Sequence, residues 1–499
     1  MEVLMKPSFA FVLLASLITL GCAHDFTVVK DDRFSKVREL IIDEVMSRRV
    51  PSIVVAVAED GKIVWEEAFG WADVENRIQA TPNTIYRLGS ISKTITATGL
   101  MLLVEEGKVD LDKPAVDYLP GDVRPRVFEG NIRDITVRHL LNHRSGMPAY
   151  AESFFEDDNE DPRPFTETVR RYGIITYPPG WAFIYCNLGY QMVANIIAEV
   201  SGMSYAEFIK ERVFAPLGMD HAFVYEGLPF NKQQAVNYTP SFEKIPRYLD
   251  NYPGADSNCA SAHDLIRFAM FHMRDSLPDQ KMILKDQSIT TMQAKYPPGN
   301  ERSGIGWALD GDVRGHRSVY HGGEGPGVDC MMRLFPDEDI AAVVLCNAEC
   351  EKLYEIQKLI FVALILELGR PETVETSSSI EFPIDPSEMY GRWKGRISTY
   401  DKEIEIELVI DSMKIAVGVG NQPQDNVEVS VITPTFLMGM FDADIPTPDN
   451  ERYPYRNRLA LTREGERLFG AVVSVGRRKD RAGHYELSSR VVLWRWKTD

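Results

Sequence analysis

The stretch SIVVAVAEDGKIVWEEAFG, Ser52–Gly70, limits the fold of this chain more than any other. It is two β-rich runs around Asp60-Gly61, a dipeptide that accepts the left-handed backbone of a two-residue hairpin turn. An antiparallel pair near the start needs further strands before it is stable. None follows soon: the chain next turns helical and loop-like, with amphipathic stretches at Gly189–Val200 and Tyr205–Phe214. Strands return only at VDCMMRLF and IAAVVLCN, joined by the turn PDED, and a long apolar helix over Glu351–Leu368 follows. The economical solution is one antiparallel sheet built from both ends of the segment, with the helical region inserted between them. The helix over Arg33–Arg48, with apolar Phe34, Val37, Ile41, Val45 and Met46, then packs beside the last helix on one face. The expected class is α/β (α+β), a central antiparallel sheet flanked by helices.

Periodicity breaks at GRPETVETSSSIEFPIDPSE, which reads as a linker over 371–382. Beyond it KEIEIELVI, NVEVSVI and ERLFGAVVSV are strand-like, and Trp393, Trp494 and Trp496 bracket the segment. Residues 383–499 are therefore expected to form a separate small all-β barrel or sandwich whose first and last strands lie together.

The first 23 residues read as an export leader: Lys6, an apolar run from Phe9 to Leu20, then Gly21, Cys22 and Ala23. Met5 is an alternative start that leaves a more positive leader. Cleavage after Ala23 gives a secreted or periplasmic protein, whereas cleavage before Cys22 gives a membrane-anchored lipoprotein. A formal net charge of −18 with no basic tract offers no nucleic-acid footprint. The cysteines left after Cys22 are read as small buried side chains, with a Cys346–Cys350 pair, close in sequence, as the alternative. No His/Cys cluster has metal spacing, so neither a metal nor another cofactor is expected.

Chemistry is suggested by GSISKTITATGL, Gly89–Leu100. Ser90 and Lys93 at i and i+3 share a helix face, and a helix start favours a developing anion. A serine N-cap with a surface lysine fits equally well, and Ser241 and Lys244 repeat the spacing without a helix. Two further elements lie downstream. PPGWAFIYCNLGY places Tyr185 and Asn187 in a Gly/Pro-rimmed loop before a helix, although Tyr455 and Asn457 repeat that spacing. HGGEGPG places His321 ahead of Gly322 and Gly323, just before a strand.

Taken in order, these elements resemble the serine β-lactamase and penicillin-binding-protein superfamily, in its class C-like branch of β-lactamases, D-Ala-D-Ala carboxypeptidases, D-aminopeptidases and esterases. The likeness runs from about Phe34 to about Leu368 and includes ITVRHLLNHRSGMPAY and SGIGWALD. It implies a β-lactamase/transpeptidase-like fold over about 30–370, followed by a lipocalin-like barrel suggested by YGRWKG. It also implies roles. Ser90 is the nucleophile, and Lys93 helps move its proton. Tyr185 is the general base and acid, its phenol lowered by a neighbouring cation. Asn187 positions the substrate and holds Lys93. Gly322 and Gly323 let the substrate approach, and the backbone N–H groups of Ser90 and Glu324 form the oxyanion hole. His143 and Asp264 are assigned structure, Asp264 as a helix cap.

The chain departs from that pattern at the third element, where His321 replaces the lysine of Lys-Thr-Gly. A neutral histidine is a poor partner for a substrate carboxylate. The expected reaction is hydrolysis of a small ester or amide, with a D-amino-acid peptidase, a carboxypeptidase or a β-lactamase as alternatives. A penicillin sensor that acylates without turnover is the alternative from outside the enzymes. The acidic stretch AESFFEDDNEDPRPF, with Phe154, Phe155 and Phe165, is read as a rim of the site or a solvated loop, and Cys186 as a core side chain.

Overall fold

The computed structural model describes residues 32–157, 161–227, 233–296, 303–365, 385–450, 454–477 and 484–496. The leader and the linker fall outside them.

The hairpin forms as its sequence dictates. Strand β1 (Ser52–Glu59) turns into β2 (Lys62–Asp73), with Asp60 at φ 51° and Gly61 at φ 68°. The short β3 (Ile78–Gln79) completes this edge. From the far end of the segment come β4 (Ala308–Val313), β5 (His316–Gly325), β6 (Val328–Phe335) and β7 (Ile340–Cys346). The seven strands run in the order β4-β5-β6-β7-β1-β2-β3, every neighbouring pair antiparallel.

Strand β1 is central and buried on both faces, which is why it reads as an unbroken apolar run. Ile53, Val55 and Val57 face helices α1 (Ser35–Met46) and α5 (Leu353–Leu364), which pack together as expected. The last helix is thus shorter than the apolar run that announces it, and residues 366–368 lie outside the description. Val54, Ala56 and Ala58 face the larger core, which holds α2 (Ser92–Glu105), α3 (Asn187–Ser201) and α4 (Ala262–Met273). Helix α2 is buried from Ser92 to Leu103, polar residues included, so its environment is that of a core helix on every side.

Nine C-terminal strands form a single antiparallel sheet. Its first strand, Gly391–Ser398, pairs with its last, His484–Arg495, around the fully buried Trp393. The two sheet edges, Asp425–Asn426 and Glu428–Ile432, are separated by Val427 alone, so the sheet curls into a nearly closed barrel.

Candidate active site

Residues Gly89–Ile91 form a tight turn that leads directly into α2. Ser90 is half-buried at the head of this helix, and Lys93, one turn on, is fully buried. The Lys93 Nζ lies 2.9 Å from Ser90 Oγ and 3.0 Å from the Ala255 carbonyl oxygen. From the other side, Tyr185 Oη donates to Ser90 Oγ at 2.8 Å. One hydroxyl is therefore shared by the amine of its own helix and a phenol that arrives from 95 residues further along the chain.

Burial governs the electrostatics. Removing the Lys93 ammonium from water brings its pKa down to about 7, against a smaller opposing pull from Asp256. The Tyr185 phenol is pushed up rather than down, again chiefly by burial, with the Ser90 hydrogen bond opposing. Tyr185 keeps 37% of its surface open, which tempers the rise. This corrects the expectation of a phenol lowered by its cation: a lysine near neutrality has too little charge to outweigh desolvation.

Asn187, the first residue of α3, donates from Nδ2 to the Tyr150 carbonyl oxygen at 2.9 Å. It does not hold Lys93, as the resemblance implied; the Ala255 carbonyl does. A backbone carbonyl carries no signature in a sequence, so this contact was not readable there. His143 was assigned structure only. Its Nδ1 accepts from the Cys186 N–H at 3.1 Å, its carbonyl accepts from the Ile184 N–H at 2.7 Å, and its ring lies 4.3 Å from that of Tyr185. It thus sets the path of the loop that carries the phenol.

His321, Gly322 and Gly323 lie inside β5 rather than ahead of a strand. The reason is close approach of β5 to the serine turn. A Cβ on Gly323 would stand 1.9 Å from the Leu88 carbonyl oxygen, and one on Gly89 would stand 2.8 Å from the Glu324 nitrogen. Glycine at both positions lets the backbone beside Glu324 meet the Ser90 turn, the arrangement an oxyanion hole requires. Gly323→Ala is expected to destabilise the fold by about 1–3 kcal/mol, read by thermal or urea unfolding. A melt unchanged from wild type contradicts this close contact.

His321 Nδ1 donates to the Gly322 carbonyl at 2.7 Å, since a carbonyl only accepts, which leaves Nε2 unprotonated. Burial and the Lys93 charge bring its pKa down to about 4, so the ring is neutral at pH 7. Beside it a cavity of about 50 Å³ is lined by Phe183, Tyr185, Trp307 and His321 among others, with no lysine or arginine among the described residues.

Other expectations are adjusted by their surroundings. Ser261, not Asp264, caps α4, and Asp264 accepts from the His221 N–H at 2.5 Å. Phe154 and Phe155 are buried in a short strand paired with Tyr248–Asp250, so they do not line an open rim. Cys186 is buried, as are Cys259, Cys330, Cys346 and Cys350, and all five are free thiols.

The beta-lactamase family model matches residues 37–366. Penicillin-binding protein 4* of Bacillus subtilis (strain 168) is 29% identical over 344 residues, which cover 64% of this chain and 73% of that one. The octameric penicillin-binding protein homologue from Pyrococcus abyssi aligns with a TM-score of 0.57 at 24% identity, over 91% of this chain and 99% of its own. The D-amino acid amidase from Ochrobactrum anthropi SV3 aligns with a TM-score of 0.54 at 24% identity, over 67% and 98%. At such identities the solved structures speak for the fold, and the family model, which spans the sheet, the helical region and every residue of the Ser90 cluster, speaks for the lineage. The chain belongs to the beta-lactamase family of serine hydrolases.

Proposed function

We propose that the protein is an exported hydrolase that cleaves small esters or amides lacking a carboxylate, through an acyl-Ser90 intermediate. The observation that carries this reading is the Ser90 hydroxyl held at 2.9 Å from Lys93 and 2.8 Å from Tyr185. With the amine's pKa brought down and the phenol's pushed up, the two groups divide the work. Neutral Lys93 takes the Ser90 proton as Oγ bonds to the substrate carbonyl carbon. The oxyanion is met by the N–H groups of Ser90 and Glu324. Tyr185 gives its proton to the departing oxygen or nitrogen and is reprotonated from Lys93. Water then adds to the acyl carbon by the same relay and releases the acid and Ser90. The apolar run from Phe9 to Leu20 supports export, to the periplasm or beyond, either free or anchored at Cys22.

A neutral His321, and a cavity beside it that no lysine or arginine lines among the described residues, favour substrates without a carboxylate. A neutral p-nitrophenyl ester is expected to exceed nitrocefin in kcat/KM by roughly a hundredfold or more, the worth of one charge-assisted contact. His321→Lys is expected to narrow that gap by lowering the KM for nitrocefin. Comparable rates on both substrates in the wild type contradict the reading.

A second reading, an amidase or aminopeptidase for D-amino acids, is favoured by Glu324. Its carboxylate is exposed at the end of the site strand and pairs with no cation among the described residues, so it suits a substrate ammonium. D-aminoacyl p-nitroanilides assayed against wild type and Glu324→Gln separate the two readings: a KM that rises in the variant favours the amidase.

A further inference from the structure

We propose that the C-terminal barrel is a working part of the active-site wall, with Asp449 and Ser488 as positioning residues for Asn187 and, through its loop, Tyr185. The inference rests on the reading of Ser90 as the nucleophile. Its starting point is the Tyr150 carbonyl, which fixes Asn187. Both neighbours of Tyr150 are held by the last barrel strand. The Ala151 N–H donates to the Glu486 carbonyl at 3.1 Å, and the Glu486 N–H returns a bond to Ala151 at 2.8 Å. Ser488 Oγ donates to the Ala149 carbonyl. The barrel thus extends its sheet by one bridge into the catalytic domain, and that bridge is made by the segment carrying the Asn187 acceptor.

The Tyr150 side chain is held from the barrel as well. Its hydroxyl donates to Glu152 at 2.8 Å, Arg163 clasps Glu152 at 2.7 Å, and Asp449 of the barrel takes Arg163 at 2.8 Å. Asp449 also pairs with Arg171 at 2.8 Å and accepts from the Tyr172 hydroxyl. Both carboxylates have side chains under a tenth exposed, so these contacts are shielded from water and are directional. A third anchor lies before Tyr185, where the Tyr177 hydroxyl donates to the Ala460 carbonyl at 2.9 Å. Gly470 admits the hydroxyl there, for a Cβ would stand 2.6 Å from the Tyr177 Oη. Lys93 is held without the barrel, by its own helix and by the Ala255 carbonyl. Loosening the barrel contacts therefore displaces Asn187 and Tyr185 while leaving the lysine in place.

The test uses the full chain, with Asp449→Asn, Ser488→Ala and, as control, Glu428→Gln, which removes an exposed barrel pair with Arg456. In Asp449→Asn, kcat/KM is expected to fall roughly tenfold, and in Ser488→Ala less, because small misplacements of positioned groups are costly. The apparent pKa of the rate profile stays at its wild-type value in both. Amide hydrogen exchange is expected to quicken over 147–152 and 185–190 and to stay unchanged elsewhere in the catalytic domain. Glu428→Gln matches wild type throughout. Two results overturn the proposal: both variants keep kcat/KM within twofold of wild type, or exchange quickens evenly across the domain. If Asp449→Asn does not fold, Ser488→Ala decides by the same measures. A wild type that no ester or covalent probe acylates counts against the hydrolase reading, and the exchange experiment still decides this one.

Discussion

Ser90→Ala is expected to lower turnover by on the order of 10⁴-fold or more and to abolish covalent labelling by an activated ester or fluorophosphonate, read by intact-protein mass. The size of the loss follows from the geometry. Among the described residues the Oγ is the only atom hydrogen-bonded to both Lys93 and Tyr185, so without it the pair has no nucleophile to serve. The fold should tolerate the change. Ser90 is half-buried, Gly89 rather than Ser90 carries the left-handed backbone of the turn, and Lys93 keeps the Ala255 carbonyl. The melting temperature is therefore expected to stay near wild type. An adduct on the variant, or turnover within tenfold of wild type, removes Ser90 from the mechanism.

Replacing Lys93 by Met is expected to lower kcat/KM by roughly 10³-fold, within the usual worth of a general base, and to raise stability. The two effects share one cause. In the folded chain the lysine pKa is brought down to about 7 from an ordinary 10.5, mainly by burial. Between those values the unfolded chain binds the extra proton and the folded one does not. Stability therefore rises with pH across that window and is lost as pH falls from 10.5 towards 7. A methionine escapes this penalty, on the order of a few kcal/mol at neutral pH, in a helix that is buried throughout. For activity the sign is the same: a neutral amine is needed to take the serine proton, so the wild-type kcat/KM profile is expected to climb through an apparent pKa near 7. In Lys93→Met that limb disappears. A limb that persists unchanged in the variant assigns the titration to another group.

How far the site could be read from residues alone depends on whether its determinants are local. Asp60-Gly61 forced a hairpin because two successive left-handed residues have few other uses, and both take positive φ. The pairing of Ser90 with Lys93 follows from helical spacing. HGGEGPG misled for the opposite reason. It reads as lying just before a strand, but β5 runs through it to Gly325, and Gly323 is needed there because the Leu88 carbonyl occupies the space of a side chain. Asp264 looked like a cap because it stands at a helix start, whereas Ser261 takes that role and Asp264 serves the His221 backbone from a distant segment.

The linear pattern was enough to read the sheet-and-helix order and the β-rich end, and to single out Ser90, Lys93 and Tyr185, whose polar atoms the fold brings together, because turn chemistry, periodicity and motif order act over short stretches. Tertiary packing decided what those groups are chemically. The Lys93 pKa is brought down because α2 is enclosed on all sides, the Tyr185 phenol is pushed up chiefly by burial, and Asn187 bonds a carbonyl whose neighbouring residues meet the barrel. Desolvation and backbone contacts depend on what arrives from distant parts of the chain, and no local spacing encodes that.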